Sequence, residues 1–144
     1  MGVAMSACSV NPEGKPKAIL DTLPKLAGTD IGNIETGEDV FIDRNRGHCV
    51  LCHSVSGLTA EFQGNVGPDL SEVGARLTQD QIRIRIVDYE RVKPDVLMPS
   101  YFRSTDLKQI SDEQRGETLL SAQDIEDLVV YLSTLKQTHS VEVE

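Results

Sequence analysis

Cys49-Val50-Leu51-Cys52-His53 decides how the rest of the chain is read. Two cysteines with two residues between them and a histidine straight after form the attachment signature of a c-type haem. The spacing has a physical reason. On one turn of backbone the two sulfurs reach the two vinyl groups of a porphyrin, and the next residue offers an imidazole nitrogen to the iron as proximal ligand. A bare CxxC is shared with zinc ribbons and thiol redox sites. The zinc alternative needs a second ligand pair, and what remains is Cys8, His48 and His139, scattered along the chain. A thioredoxin-like dithiol wants a βαβ setting, and no such alternation is visible. The motif implies one covalent haem c held by Cys49, Cys52 and His53.

Bulk properties agree. The chain has 144 residues, one domain's worth, and 4% aromatic residues with no Trp. Large apolar bodies for a core are scarce, and a haem would supply one. A formal net charge of −9 argues against nucleic acid or an anionic membrane as partner. No apolar run approaches the length of a membrane span. Met1 to Val10 lacks the basic start and apolar stretch of a signal peptide. The periplasm is expected from the haem alone, because haem c is attached outside the bacterial cytoplasm.

Three units are expected: an N-terminal arm over 1–35, a domain over 36–138 and a tail over 139–144. The arm is punctuated by Pro and Gly, and Leu20, Leu23 and Leu26 can lie along a partner or along the arm's own domain. Thr36-Gly37-Glu38-Asp39 reads as a helix start, predicting a helix over about 37–44 with Gly37 and Phe41 on one face. Asn45-Arg46-Gly47 then delivers the chain to Cys49. Ile82-Arg83-Ile84-Arg85-Ile86 alternates like a strand, but Thr78-Gln79-Asp80-Gln81 is a capping box, and Ile82, Ile86 and Tyr89 recur at helical spacing. Since nothing nearby offers a pairing strand, residues 78–91 are read as a helix. Ser121-Ala122-Gln123-Asp124 opens a last helix, with Ile125, Leu128, Val129, Leu132 and Leu135 in one stripe.

Two further residues bear on the iron. A ligating His usually donates its second ring N–H to a carbonyl, which fixes the ring plane and raises its basicity. Pro68 of Gly67-Pro68-Asp69-Leu70 is the candidate acceptor; an ordinary loop turn is the alternative. On the distal side the sixth ligand separates electron transfer from ligand binding. Met98, 45 residues beyond His53 and pinned by Pro99, is the candidate thioether, against a core Met that only fills a gap. Residues 76–103 carry six basic and four acidic groups. Arg76, Arg83, Arg85, Arg91 and Lys93 are candidates for holding haem propionates or docking an acidic surface, with a solvated helix face as the plain alternative.

Gly37 and Phe41, Gly67-Pro68-Asp69-Leu70, Met98-Pro99 and Asp127-Leu128-Val129-Val130-Tyr131-Leu132 resemble class I cytochromes c. More narrowly, Phe62-Gln63-Gly64-Asn65-Val66-Gly67-Pro68, Val73-Gly74-Ala75-Arg76-Leu77, Met98-Pro99-Ser100-Tyr101 and Leu120 to Asp127 resemble the SoxX family, monohaem subunits of the SoxAX cytochromes of thiosulfate oxidation. The resemblance covers about residues 37–136. It implies an all-α class I cytochrome c fold in which the first and last helices cross at the Gly and aromatic positions. It implies Cys49, Cys52, His53, Pro68, Leu70 and Met98 as cofactor-binding residues, with His53 and Met98 on iron and no catalytic residue. The implied setting is a periplasmic heterodimer with a SoxA-like haem subunit, which does the sulfur chemistry of an L-cysteine S-thiosulfotransferase. A small acceptor cytochrome would lie downstream. A free-standing electron shuttle and an open-iron haem enzyme or sensor are the competing functions. Cys8, left over in an oxidising compartment, is a candidate for an intermolecular disulfide.

Overall fold

The computed structural model describes residues 21–105 and 116–136. Cys8, His139, Leu20 and the terminal stretches to which the arm and tail were assigned lie wholly or partly outside them. Among the described residues the regular structure is helical: α1 (Ile34–Ile42), α2 (Val73–Arg76), α3 (Gln79–Asp88) and α4 (Ala122–Thr134), with single 3₁₀ turns at Cys49–Leu51 and Tyr89–Arg91.

Side-chain caps set the helix starts. Ser121 and Asp124 form a reciprocal capping box at α4, and Thr78 and Gln81 form another at α3, each satisfying backbone donors that the first turn leaves orphaned. At α1 the expected start moves. Asn33 is the N-cap and its side chain accepts from the Thr36 N–H, so the helix begins three residues before Gly37 and ends at Ile42 rather than Arg44. Asparagine outcompetes the threonine box because it stands where the chain is still extended. The short α2 was not expected as a helix.

Helix α3 resolves the alternating Ile-Arg pattern. Ile82, Ile84 and Ile86 are all buried, and so is Arg83 at 2% exposure. The helix is enclosed on more than one side, so both phases of the alternation face protein. Arg83 is tolerated there because its guanidinium grips the equally buried Glu126 through Nε and Nη2 at 2.8 and 2.9 Å. It also reaches the Leu23 carbonyl and Asp80, and Glu126 in turn accepts from the Leu26 N–H at 3.0 Å. A buried ion pair survives desolvation only when its remaining hydrogen-bonding capacity is used. Here residues 23–26 help to use it, so this stretch packs along α3 and α4 with Leu23 and Leu26 against the core.

The last helix is the floor on which the other elements stand. A Cβ added at Gly37 would collide with the Asp127 carbonyl, one at Gly32 with the Glu126 carbonyl, and one at Gly74 with the Ser133 carbonyl. Glycine is required at these points because backbone meets backbone with no room for a side chain. At the α1–α4 crossing, Phe41 and Tyr131 meet with ring centroids 5.8 Å apart and planes tilted by 57°, within the edge-on arrangements that aromatic quadrupoles favour. Val40, Phe41, Ile125, Leu128 and Val129, each at 0–1% exposure, complete the centre of the core.

The replacement Gly37→Ala should therefore force α1 away from α4 and lower stability by about 1–3 kcal/mol, the usual size of an overpacking defect. It would show as a lower urea midpoint at unchanged slope. Tyr131 adds a pH dependence. Burial pushes its phenol up from an ordinary 10.0 to about 12. The unfolded chain then releases this proton first, so stability falls as pH rises from about 10 towards 12. Tyr131→Phe should make that fall shallower in urea titrations across this range; equal slopes would show that the tyrosine plays no part.

Candidate haem-attachment site

Four backbone bonds shape the motif. His48 sits in the left-handed region (φ 46°) and its N–H returns to the Asp43 carbonyl at 3.0 Å. From there Leu51, Cys52 and His53 wind back onto the carbonyls of His48, Cys49 and Cys49, at 3.1, 3.1 and 2.9 Å. One tight turn thus carries both thiols and the imidazole, as two thioethers and an axial ligand on one porphyrin require. Glycine again permits close approach. Gly64 donates to the Val50 carbonyl at 2.8 Å, and a Cβ on it would strike the Leu51 carbonyl. A Cβ at Gly67 would be driven into the His53 ring itself.

His53 meets Pro68 directly: Nδ1 lies 2.8 Å from the Pro68 carbonyl oxygen. A carbonyl only accepts, so Nδ1 carries the proton and Nε2 keeps the free lone pair that a metal needs. The contact is one rung of a short ladder between residues 52–54 and 67–70. Gly67 N–H donates to the Cys52 carbonyl at 2.7 Å, Ser54 Oγ to Asp69 Oδ2 at 2.7 Å, and Leu70 N–H to the Ser54 carbonyl at 2.9 Å. Leu70 is half-buried and packs against the core.

Longer-range ties fix the turn to the helices. Tyr101 Oη donates to the Gly47 carbonyl at 3.0 Å, while its backbone bonds to Ile86 and Leu120. Burial raises its phenol far above the ordinary value, with smaller contributions from Cys49 and Cys52. Arg46 pairs with Asp124 at the start of α4. Met98 is half-buried, on the stretch between the 3₁₀ turn Tyr89–Arg91 and Ser100. Ser100 anchors that stretch by donating to buried Asp88 at 2.6 Å.

Three of the five basic side chains singled out in this segment have partners within the chain. Arg83 is buried against Glu126, Arg85 pairs with Asp21 at 3.0 Å and lies over the Tyr89 ring, and Arg76 reaches the Asp69 carbonyl. Arg91 and Lys93 are exposed. The spacing of charges along a sequence does not reveal which are neutralised by partners sixty residues away.

Haem c fits the residues present. Cys49 and Cys52 are free of any disulfide, and the imidazole presents Nε2 with its other nitrogen already bonded. Burial pushes the Cys49 thiol up to about 12, the opposite of the depressed value a redox dithiol uses. Large exposed apolar side chains stand on the same segments: Leu51 in the motif, Phe62 and Val66 in the following loop, and Leu97 beside Met98. They offer apolar surface of the kind a porphyrin covers. Ser54, Asp69 and Tyr101 were missed from sequence. The one available signal was that Ser54 and Asp69 stand at the same fifteen-residue offset as His53 and Pro68.

No curated protein matches the chain. Among solved structures, a chain of the SoxXA crystal structure from P. pantotrophus matches with 27% identity and a TM-score of 0.74, over 90% of this chain and 100% of that one. The c-type cytochrome SorU from Sinorhizobium meliloti matches with 22% identity and a TM-score of 0.47, over 72% of this chain and 90% of that one. The cytochrome c2 of Paracoccus denitrificans matches with 14% identity and a TM-score of 0.39, over 73% and 97%. The family model described as cytochrome c matches residues 34–136. This span takes in α1, the attachment turn, the Gly67-Pro68 loop, Met98 and α4, and the chain belongs to the cytochrome c family, whose members carry covalent haem c.

Proposed function

We propose that the chain relays electrons in the periplasm as the monohaem subunit of a two-subunit cytochrome of the SoxXA kind. Its partner would be a SoxA-like haem subunit at which sulfur compounds are oxidised, and a small cytochrome would take the electrons onward. The observation that carries the relay reading is His53: its Nδ1–H is committed to Pro68, directly behind the two attachment cysteines. The likeness to the SoxXA structure over the whole of that chain supports the partner. Among the described residues no helix is long and apolar enough to cross a membrane.

The haem supplies a one-electron couple whose potential follows its axial ligands and their hydrogen bonds. Cys49 and Cys52 would hold it covalently. His53, oriented by the Pro68 carbonyl, would supply one axial ligand, and Met98 is the residue that would supply a thioether as the other. The relay function requires both axial positions to be taken by protein, because an open position invites small ligands.

Met98→Ala should leave the haem attached, since attachment depends on the cysteines. The methionine–iron charge-transfer band at the red edge should vanish and added imidazole should bind. The reduction potential should fall, within the span of about 0.8 V over which axial ligands set haem potentials. An unchanged spectrum with no affinity for imidazole would move the sixth ligand elsewhere. The partner assignment is checked separately, by affinity capture of the tagged chain from native periplasm with visible spectra of each band. Co-purification of a second haem polypeptide is expected; recovery of this chain alone would make it a free-standing shuttle.

A further inference from the structure

We propose that Asp69 is a positioning residue for the proximal side of the haem, holding the Pro68 carbonyl on the His53 ring through a clamp made with Ser54 and Ser71. The inference rests on the reading of His53 as the iron ligand.

The peptide bond is planar, so the Pro68 carbonyl lies in one plane with the nitrogen and Cα of Asp69. Whatever holds Asp69 therefore aims that carbonyl. Two bonds hold its carboxylate from opposite sides: Ser54 Oγ donates to Oδ2 at 2.7 Å, and Ser71 N–H donates to Oδ1 at 2.9 Å. Ser71 Oγ is fixed in turn by the Ser56 N–H at 2.7 Å. The clamp closes back on the ligand, because Ser54 directly follows His53 in the chain. Bonds from Ser54 and Ser71 also hold the Asp69 carboxyl below the usual carboxylate range, so it remains an acceptor across the neutral range. A ring N–H bonded to a well-aimed oxygen makes imidazole a stronger donor, and such supporting partners are typically worth about 10–100-fold in metal affinity or activity. Asp69 acts on the His53 ring through Pro68.

The test uses the haem-loaded protein with Asp69→Ala and Ser54→Ala. It reads the exchange lifetime of the paramagnetically shifted His53 ring N–H by NMR together with the midpoint potential. Haem content and thermal midpoint serve as folding controls. Both variants should shorten the lifetime, Asp69→Ala more than Ser54→Ala, and both should raise the potential because a weaker donor stabilises ferric iron less. Ser54→Ala separates aiming from charge, since it breaks one arm of the clamp while the carboxylate stays. A potential that moves in Asp69→Ala with the lifetime unchanged would reduce Asp69 to a nearby charge and overturn the proposal. Unchanged lifetimes in both variants would overturn it as well. A parent protein with no shifted ring N–H from His53 would overturn the ligand reading itself, an outcome distinct from failure of the clamp.

Discussion

The structure depends on the approach of backbone to backbone along α4. Gly32, Gly37 and Gly74 each press where a Cβ would collide with a carbonyl of that helix or its last turn. With no side chains in between, small errors in spacing have nothing soft to absorb them, and close-packed interiors transmit such errors rather than damp them. The Phe41–Tyr131 contact sits one turn along from Gly37 and inherits its geometry. Since α1 leads through five residues into the left-handed His48 and the attachment turn, the crossing also decides where the cysteines emerge.

Helix starts were largely legible from sequence, because capping boxes are local chemistry. Thr78–Gln81 and Ser121–Asp124 act as their residue types suggest. The start of α1 was misplaced because Asn33 and Thr36, three residues apart, both qualify as caps, and only the backbone conformation at Asn33 chooses between them. The Ile-Arg-Ile-Arg-Ile run was read correctly as helix, but what allows its arginine inside was not legible. A buried arginine is exceptional, and Arg83 is buried only because Glu126, forty-three residues away, comes to meet it. No window of sequence contains that pair.

The same division runs through the site. The attachment turn and the His53–Pro68 contact were readable, since a CxxCH motif followed by a Gly-Pro loop has few ways to satisfy the second ring nitrogen. The clamp at Asp69 and the bond from Tyr101 to Gly47 were not. Both employ common residue types in surface-like stretches, and their meaning comes from contacts across 15 and 54 positions. The charge pattern shows the same limit: Arg83 and Arg85 look free in sequence, but Glu126 and Asp21, 43 and 64 positions away, pair with them.

What these ties do together bears on electron relay. The attachment turn is held by Tyr101 from the segment after Met98, by the ion pair of Arg46 with Asp124 of α4, and by the ladder under His53. Each tie comes from a different part of the chain, so the turn is anchored to three separate segments. An iron that gains and loses an electron favours slightly different surroundings in its two states. A site braced from several sides limits that rearrangement, because its donors and dipoles are already fixed before the charge changes. The bracing has a second consequence. Tyr101, three residues after Met98, bonds to Gly47 just before the attachment turn, so the stretch that carries Met98 and the turn that carries the cysteines are tied together directly.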